Sequence, residues 1–201
     1  MIKAVIFDLD GVLVDSLEAW FRLFNKALRH FGKEEITLHT FKSRIWGGNI
    51  EGDAKEFFGR PVEDIKKIYF DGFDEFKKGV RLFPDTKNVL TKLKNKGLKV
   101  GLATNTPCKQ AHKLLDYLSL KDDFDVILGG DEVEHGKPAP DIIILACKRL
   151  GIKIKESAYV GDSNADMAAG RKAGCLTIGF RIDGDKRIED LGELLEMQDF
   201  R

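Results

Sequence analysis

The chain has 201 residues, 43% apolar and 33% charged, with 33 basic against 33 acidic side chains and a formal net charge of zero. This is a globular composition, long enough for one substantial domain or a core with a small insertion, and it has no net field to attract nucleic acid or an anionic membrane. No long apolar run or leader pattern is evident, and Cys108, Cys147 and Cys175 form no Cys-x-x-Cys pair, so the expectation is a cytoplasmic protein without disulfide framework or zinc knuckle.

In chain order, Ala4-Val5-Ile6-Phe7 has the composition of a fully buried strand, and it runs straight into Asp8-Leu9-Asp10-Gly11. Asp and Gly open ordinary turns, but carboxylates at the end of a buried strand serve no packing purpose. Leu17, Trp20, Phe21, Phe24, Ala27, Leu28 and Phe31 then recur at helical spacing, with Asp15 or Ser16 placed to cap the start and Gly32 the end. From Ile36 to about Phe83 the pattern stays helical and rich in phenylalanine, as inside a small helical bundle. The segment Arg44 to Asn49, containing Trp46, Gly47 and Gly48, departs from that periodicity. Its cation, aromatic ring and flexible pair predict a loop in which Arg44 reaches a substrate.

Beyond Phe83-Pro84 short apolar strands alternate with helices. Helix Thr86 to Lys96 precedes strand Lys99 to Ala103; helix Lys109 to Leu118 precedes strand Asp125 to Leu128. A helix from about Asp141 to Leu150, a strand Ala158 to Val160, a helix Ala165 to Ala173, a strand Leu176 to Phe180 and a short helix near Leu191 to Met197 follow. Such alternation predicts an α/β, doubly wound parallel-sheet (Rossmann-like) core. The helical stretch interrupts it after the first strand, which predicts a core of residues 1–15 and 83–201 and an inserted α-helical cap domain of residues 16–82.

In a parallel sheet of this kind ligands bind beyond the carboxyl ends of the strands. Asp8 and Asp10 follow the first strand, Thr104-Asn105 the second, and Gly161-Asp162-Ser163 the fourth, with Asp166 a turn further on; Lys137 opens the helix after the third. Phosphoryl transfer needs such a set. A carboxylate can attack phosphorus in line, but two anions approaching each other require neutralisation. Mg²⁺ takes carboxylate, water and phosphate oxygens, which Asp8 and Asp162 suit, while Thr104 and Lys137 can hold the remaining phosphoryl oxygens. The four histidines lack ligand spacing and read as surface or packing residues.

Asp8-Leu9-Asp10-Gly11-Val12-Leu13-Val14-Asp15-Ser16, Leu102-Ala103-Thr104-Asn105, Gly136-Lys137-Pro138-Ala139-Pro140-Asp141 and Gly161-Asp162-Ser163-Asn164-Ala165-Asp166 together resemble the four motifs of the haloacid dehalogenase superfamily, in particular its phosphatase branch with a helical cap after the first motif. The resemblance implies Asp8 as nucleophile, Asp10 as acid and then base, and Mg²⁺ on Asp8, the Asp10 carbonyl and Asp162. It further implies Thr104 and the Asn105 amide on phosphate, Lys137 balancing charge, and Asp166 orienting a metal water or Lys137. Asp10 argues for phosphate esters over haloacids. Gly161 before Asp162, where the related β-phosphoglucomutases often carry Glu, favours hydrolase over mutase. Pro84-Asp85 stands where similar proteins commonly have Pro-Gly, which bears on the cap hinge. A phosphomutase and, less well matched, a phospho-accepting signalling receiver are the alternatives. The substrate is expected to be a small phosphorylated metabolite, with phosphoglycolate, a sugar phosphate, a nucleotide and pyrophosphate all open, as is oligomeric state.

Overall fold

The computed structural model describes residues 1–200. β1 (Ala4–Phe7) leads through a tight turn into β2 (Val14–Asp15) and α1 (Leu17–His30); α2 (Leu38–Arg44), α3 (Ile50–Asp53), a π-helical turn (Ala54–Phe58) and α4 (Val62–Phe76) follow before the chain returns through β3 (Arg81–Leu82). Then α5 (Thr86–Asn95), β4 (Lys99–Ala103), α6 (Cys108–Leu118), β5 (Val126–Leu128), α7 (Asp141–Leu150), β6 (Ser157–Gly161), α8 (Asn164–Ala173), β7 (Leu176–Phe180) and β8 (Lys186–Ile188) complete the regular elements. Six strands form one sheet in the order β5-β4-β1-β6-β7-β8, every pair parallel. The order reverses at β1, so the crevice between its end and those of β4 and β6 is the topological switch point.

Alternation along the strands explains why the sheet is covered on both faces. Val5 and Phe7 of β1, Val100 and Leu102 of β4 and Val160 of β6 pack with Val89, Leu93 and Leu114 of the helices on one side. Ile6, Ala103 and Tyr159 point the other way and pack with Ile142, Ile143 and Ala146 of α7. A third cluster, built from Phe24, Phe41, Phe58 and Ile65, lies within the helical segment. That segment also shares its core with the sheet: Ala19 and Leu23 of α1 and Phe73 and Phe76 of α4 belong to the same apolar cluster as Val5 and Phe7.

Its two connections are tied together, since β2 pairs antiparallel with β3 and Thr86 Oγ1 donates to the Leu13 carbonyl at 2.8 Å. Asp85 there has φ −90°, a backbone that needs no glycine. Ser16 stands at the N-cap of α1 but makes no cap bond, because its hydroxyl donates to Asp10 Oδ1 instead. The parallel edge strand β8 and the β2–β3 pair have no counterpart in the sequence reading. They are two or three residues long, and β8 carries Lys186 and Arg187 at the sheet edge, where charge discourages further pairing. The last helix, expected to run to Met197, is a 3-10 helix at Leu191–Glu196.

Candidate active site

Asp8 leaves β1 at the sheet end, and Gly11 turns the chain there with φ +79°. A Cβ on Gly11 would stand 2.1 Å from Asp162 Oδ2, so only glycine lets the first turn pass the fourth strand's carboxylate. Asp162 follows β6, Ser163 caps α8 by accepting from the Asp166 N–H, and Asp166 Oδ2 accepts in return from Ser163 N and Oγ. This capping box aims the other oxygen of Asp166 inward.

Lys137 is the hub, only 3% exposed. Its Nζ lies 2.8 Å from Asp8 Oδ1, 2.6 Å from Asp166 Oδ1 and 2.9 Å from the Tyr159 hydroxyl. Burial alone would lower its pKa, but the Asp166 and Asp8 carboxylates outweigh that and push it up, so it stays an ammonium. Tyr159 was not anticipated from sequence: in a buried strand it reads as packing, yet its hydroxyl sits 3.0 Å from both Asp166 Oδ1 and the Ala103 carbonyl.

The carboxylates outnumber the cation. Asp8 is raised well above the usual range, chiefly by burial, opposed by Lys137 and reinforced by Asp166, Asp162 and Asp10. Asp162 is raised to about 7 by burial and then by Asp166. Oxygens of Asp8, Asp162 and Asp166 lie within 4.8 Å of one another. Both Asp166 oxygens are already engaged, which leaves Asp8 and Asp162 to face an ion. The all-oxygen donor set and the crowded negative charge fit a hard divalent cation.

Asp10 points elsewhere. Its Oδ1 accepts from Ser16 Oγ at 2.6 Å and Trp20 Nε1 at 2.8 Å, and its Oδ2 from Thr106 Oγ1 at 2.9 Å. Thr104 is buried at the end of β4, with its Oγ1 accepting from the Thr106 N–H. The Asn105 side chain is a bracket: it accepts from the Lys137 N–H and donates to the Lys137 and Gly48 carbonyls, so only its backbone N–H is left to meet a ligand. Trp20 and Ser16, which the sequence marks only as a helix-face residue and a helix cap, and Thr106 gain this role only from a fold that returns them to Asp10.

The loop Arg44 to Asn49 does approach this crevice, through other residues than its cation. Trp46 Nε1 donates to Asp162 Oδ2 at 2.8 Å, and a Cβ on Gly47, whose φ is +78°, would meet Ser163 Cβ at 2.4 Å. Arg44 instead lies over the Phe57 ring at 5.0 Å and pairs with Glu56 on the exposed side, outside the cleft. The structure thus places Arg44, expected from sequence to reach a substrate, outside the cleft, while Trp46 just beyond α2 enters it. Helical-segment and sheet residues together line one cleft over Asp8, Asp10, Thr104, Lys137 and Asp162.

A doubly wound parallel sheet with buried carboxylates and a lysine at its switch point defines an α/β protein whose site suits a phosphate group. The family described as haloacid dehalogenase-like hydrolase matches residues 5–180, and the chain belongs to that family, as an enzyme of its phosphatase branch. A phosphoglycolate phosphatase of Yersinia pestis is 35% identical over 195 residues, covering 89% of this chain and 80% of the relative. A haloacid dehalogenase-like hydrolase structure from Bacteroides fragilis superposes with a TM-score of 0.86 at 28% identity, covering 96% of this chain and 100% of that one. CbbY of Rhodobacter sphaeroides, solved as a variant with xylulose-(1,5)bisphosphate, shares the fold at a TM-score of 0.84 and 24% identity, covering 96% of each chain.

Proposed function

We propose that the protein is a Mg²⁺-dependent phosphatase of small phosphate monoesters that works through an aspartyl phosphate on Asp8, with residues 16–82 acting as a cap over a core of residues 1–15 and 83–201. The observation that carries this reading is the buried Lys137 held between Asp8 and Asp166 beside Asp162. Lys137 holds one Asp8 oxygen, which orients the other toward phosphorus. Attack forms the phosphorus–Asp8 bond as the bond to the leaving oxygen breaks, and Asp10 gives that oxygen its proton. Asp10 then takes a proton from the water that hydrolyses the aspartyl phosphate, and Ser16, Trp20 and Thr106 hold its carboxyl group in place for both steps. Thr104 Oγ1 and the Asn105 N–H would hold phosphoryl oxygens. Asp8, the Asp10 carbonyl and Asp162 would hold Mg²⁺, which would neutralise charge as the two anions approach.

The mutase alternative is disfavoured by space. A Cβ at Gly161 would lie 2.2 Å from Asp166 Cβ, so a glutamate cannot stand before Asp162 without displacing the Lys137 anchor. The three free thiols and the metabolite-sized cleft fit a cytoplasmic enzyme. The test is hydrolysis of 4-nitrophenyl phosphate: activity that requires Mg²⁺ and vanishes in Asp8→Asn supports the mechanism, and full activity of that variant overturns it.

A further inference from the structure

We infer that the cleft wall facing the catalytic carboxylates takes a leaving group with an apolar body and a hydrogen-bond donor, an ammonium or a hydroxyl, and no carboxylate. This rests on the phosphatase reading above and names its substrate class. The wall is aromatic, with Trp20, Phe41, Tyr69 and Phe70 among its residues; Trp20 packs edge-on to Tyr69 with ring centres 5.7 Å apart. Such faces receive carbon skeletons and, by their quadrupoles, cations.

The polar groups of the wall can be followed one by one. Asn49 Oδ1 caps α3 on the Gly52 N–H, Asn105 brackets Lys137 and Gly48, and Thr106 donates to Asp10. Two acceptors of the wall have no such engagement among the described residues, and neither does the hydroxyl of Tyr69, a donor near Asp53. Gln110, 6% exposed, lines the cleft with a buried Oε1 that no donor reaches. Asp53 also lines it, and no hydrogen bond holds its carboxylate; burial, followed by Glu56 and Glu51, raises it to about 7. Both present acceptors, the Gln110 oxygen buried and the Asp53 carboxylate half-buried, and a buried acceptor without a partner calls for a donor.

The wall holds two cations, Lys137 and Lys66, and each already faces a carboxylate. Lys137 is held by Asp8 and Asp166, and Lys66 pairs with Glu63 at 3.1 Å. Arg44 lies outside. A carboxylate placed in this wall would face Asp53 across low-dielectric surroundings. The phosphoglycolate named for the relatives ends in such a carboxylate, so this chain is expected to diverge from them in substrate.

Two probes of similar size and opposite terminal charge decide the matter, O-phosphoethanolamine and 2-phosphoglycolate. In the wild type kcat/KM for the amine ester exceeds that for phosphoglycolate at least tenfold, and Asp53→Asn lowers that ratio at least tenfold; a ratio within one protein does not depend on how much of it is folded. A wild type that prefers phosphoglycolate, or an unchanged ratio in Asp53→Asn, overturns the proposal. So does a selective loss of phosphoglycolate turnover in Lys66→Ala, which would make Lys66 a carboxylate ligand. Calorimetry of both esters with the Asp8→Asn protein repeats the comparison without turnover. Wild-type inactivity on every ester would count against the phosphatase reading alone, whereas equal or reversed affinities in the calorimetry overturn the leaving-group site.

Discussion

Replacing Lys137 with Met removes the one ammonium that stands between two buried carboxylates while keeping most of the side-chain volume. Lys137 and Asp166 are 3% and 1% exposed, Asp8 is 7% exposed, and the contacts are 2.8 Å to Asp8 and 2.6 Å to Asp166. Breaking a buried pair by deleting one partner typically costs about 3–5 kcal/mol, because the remaining charge is desolvated and unpaired. For a chain of this length that corresponds to a melting point lower by roughly 6–20 °C. The loss has a definite pH sign. Burial already holds the folded-state pKa of Asp8 above its unfolded value, so the folded protein binds a proton more readily than the unfolded chain, and stability rises as pH falls. Deleting Lys137 raises that pKa further. The deficit is thus full above the folded pKa of Asp8 and shrinks as pH falls through it. Urea unfolding of both proteins in EDTA at pH 7.5 and 5.5 measures it, with equal slopes required for a two-state comparison. Adding Asp8→Asn to the Lys137→Met protein should restore at least about half of the lost stability, since it removes one stranded charge. A deficit under about 1 kcal/mol at both pH values, or a double variant no more stable than the single one, would refute the electrostatic argument.

Trp46→Phe keeps the ring beside Phe41 but removes the N–H on Asp162 Oδ2; Mg²⁺ affinity by calorimetry should fall about tenfold, the usual effect of losing a group that orients a ligand, and an unchanged affinity would show that Asp162 needs no such support. With Asp162 raised to about 7, Mg²⁺ binding below that pH must release its proton, so affinity should weaken about tenfold per unit as pH falls below 7; calorimetry in buffers of different ionisation enthalpy reads the proton release directly. Gly11→Ala should lower both Mg²⁺ affinity and stability, the latter by about 1–3 kcal/mol, because its φ of +79° and the 2.1 Å approach to Asp162 Oδ2 admit no Cβ; normal stability and affinity in that variant would mean the turn relaxes freely.

The sheet and the identity of its strand-end residues were legible from local chemistry. Ala4–Phe7 must be buried because it is apolar on both faces, and a carboxylate that directly follows it has nowhere to go but the sheet end. Asp8, Thr104, Lys137, Asp162 and Asp166 could be assembled on paper for this reason: parallel topology puts all strand ends on one side, so order along the chain becomes position in space. Helical spacing likewise located α1 and α4, and the break in that spacing located the Trp46 loop. What periodicity cannot convey is direction. Arg44 and Trp46 are two residues apart, and only the packing of α2 decides that the indole enters the cleft while the guanidinium turns out to Glu56. The same holds for Tyr159, whose place in a buried strand does not reveal that its hydroxyl meets Lys137, and for Ser16, which gives up its helix cap to hold Asp10. Composition and pattern determined which groups could do chemistry at the sheet end. The tertiary structure alone decided which partners hold them, because a hydrogen bond between residues far apart in the chain depends on side-chain orientation, and orientation is set by packing.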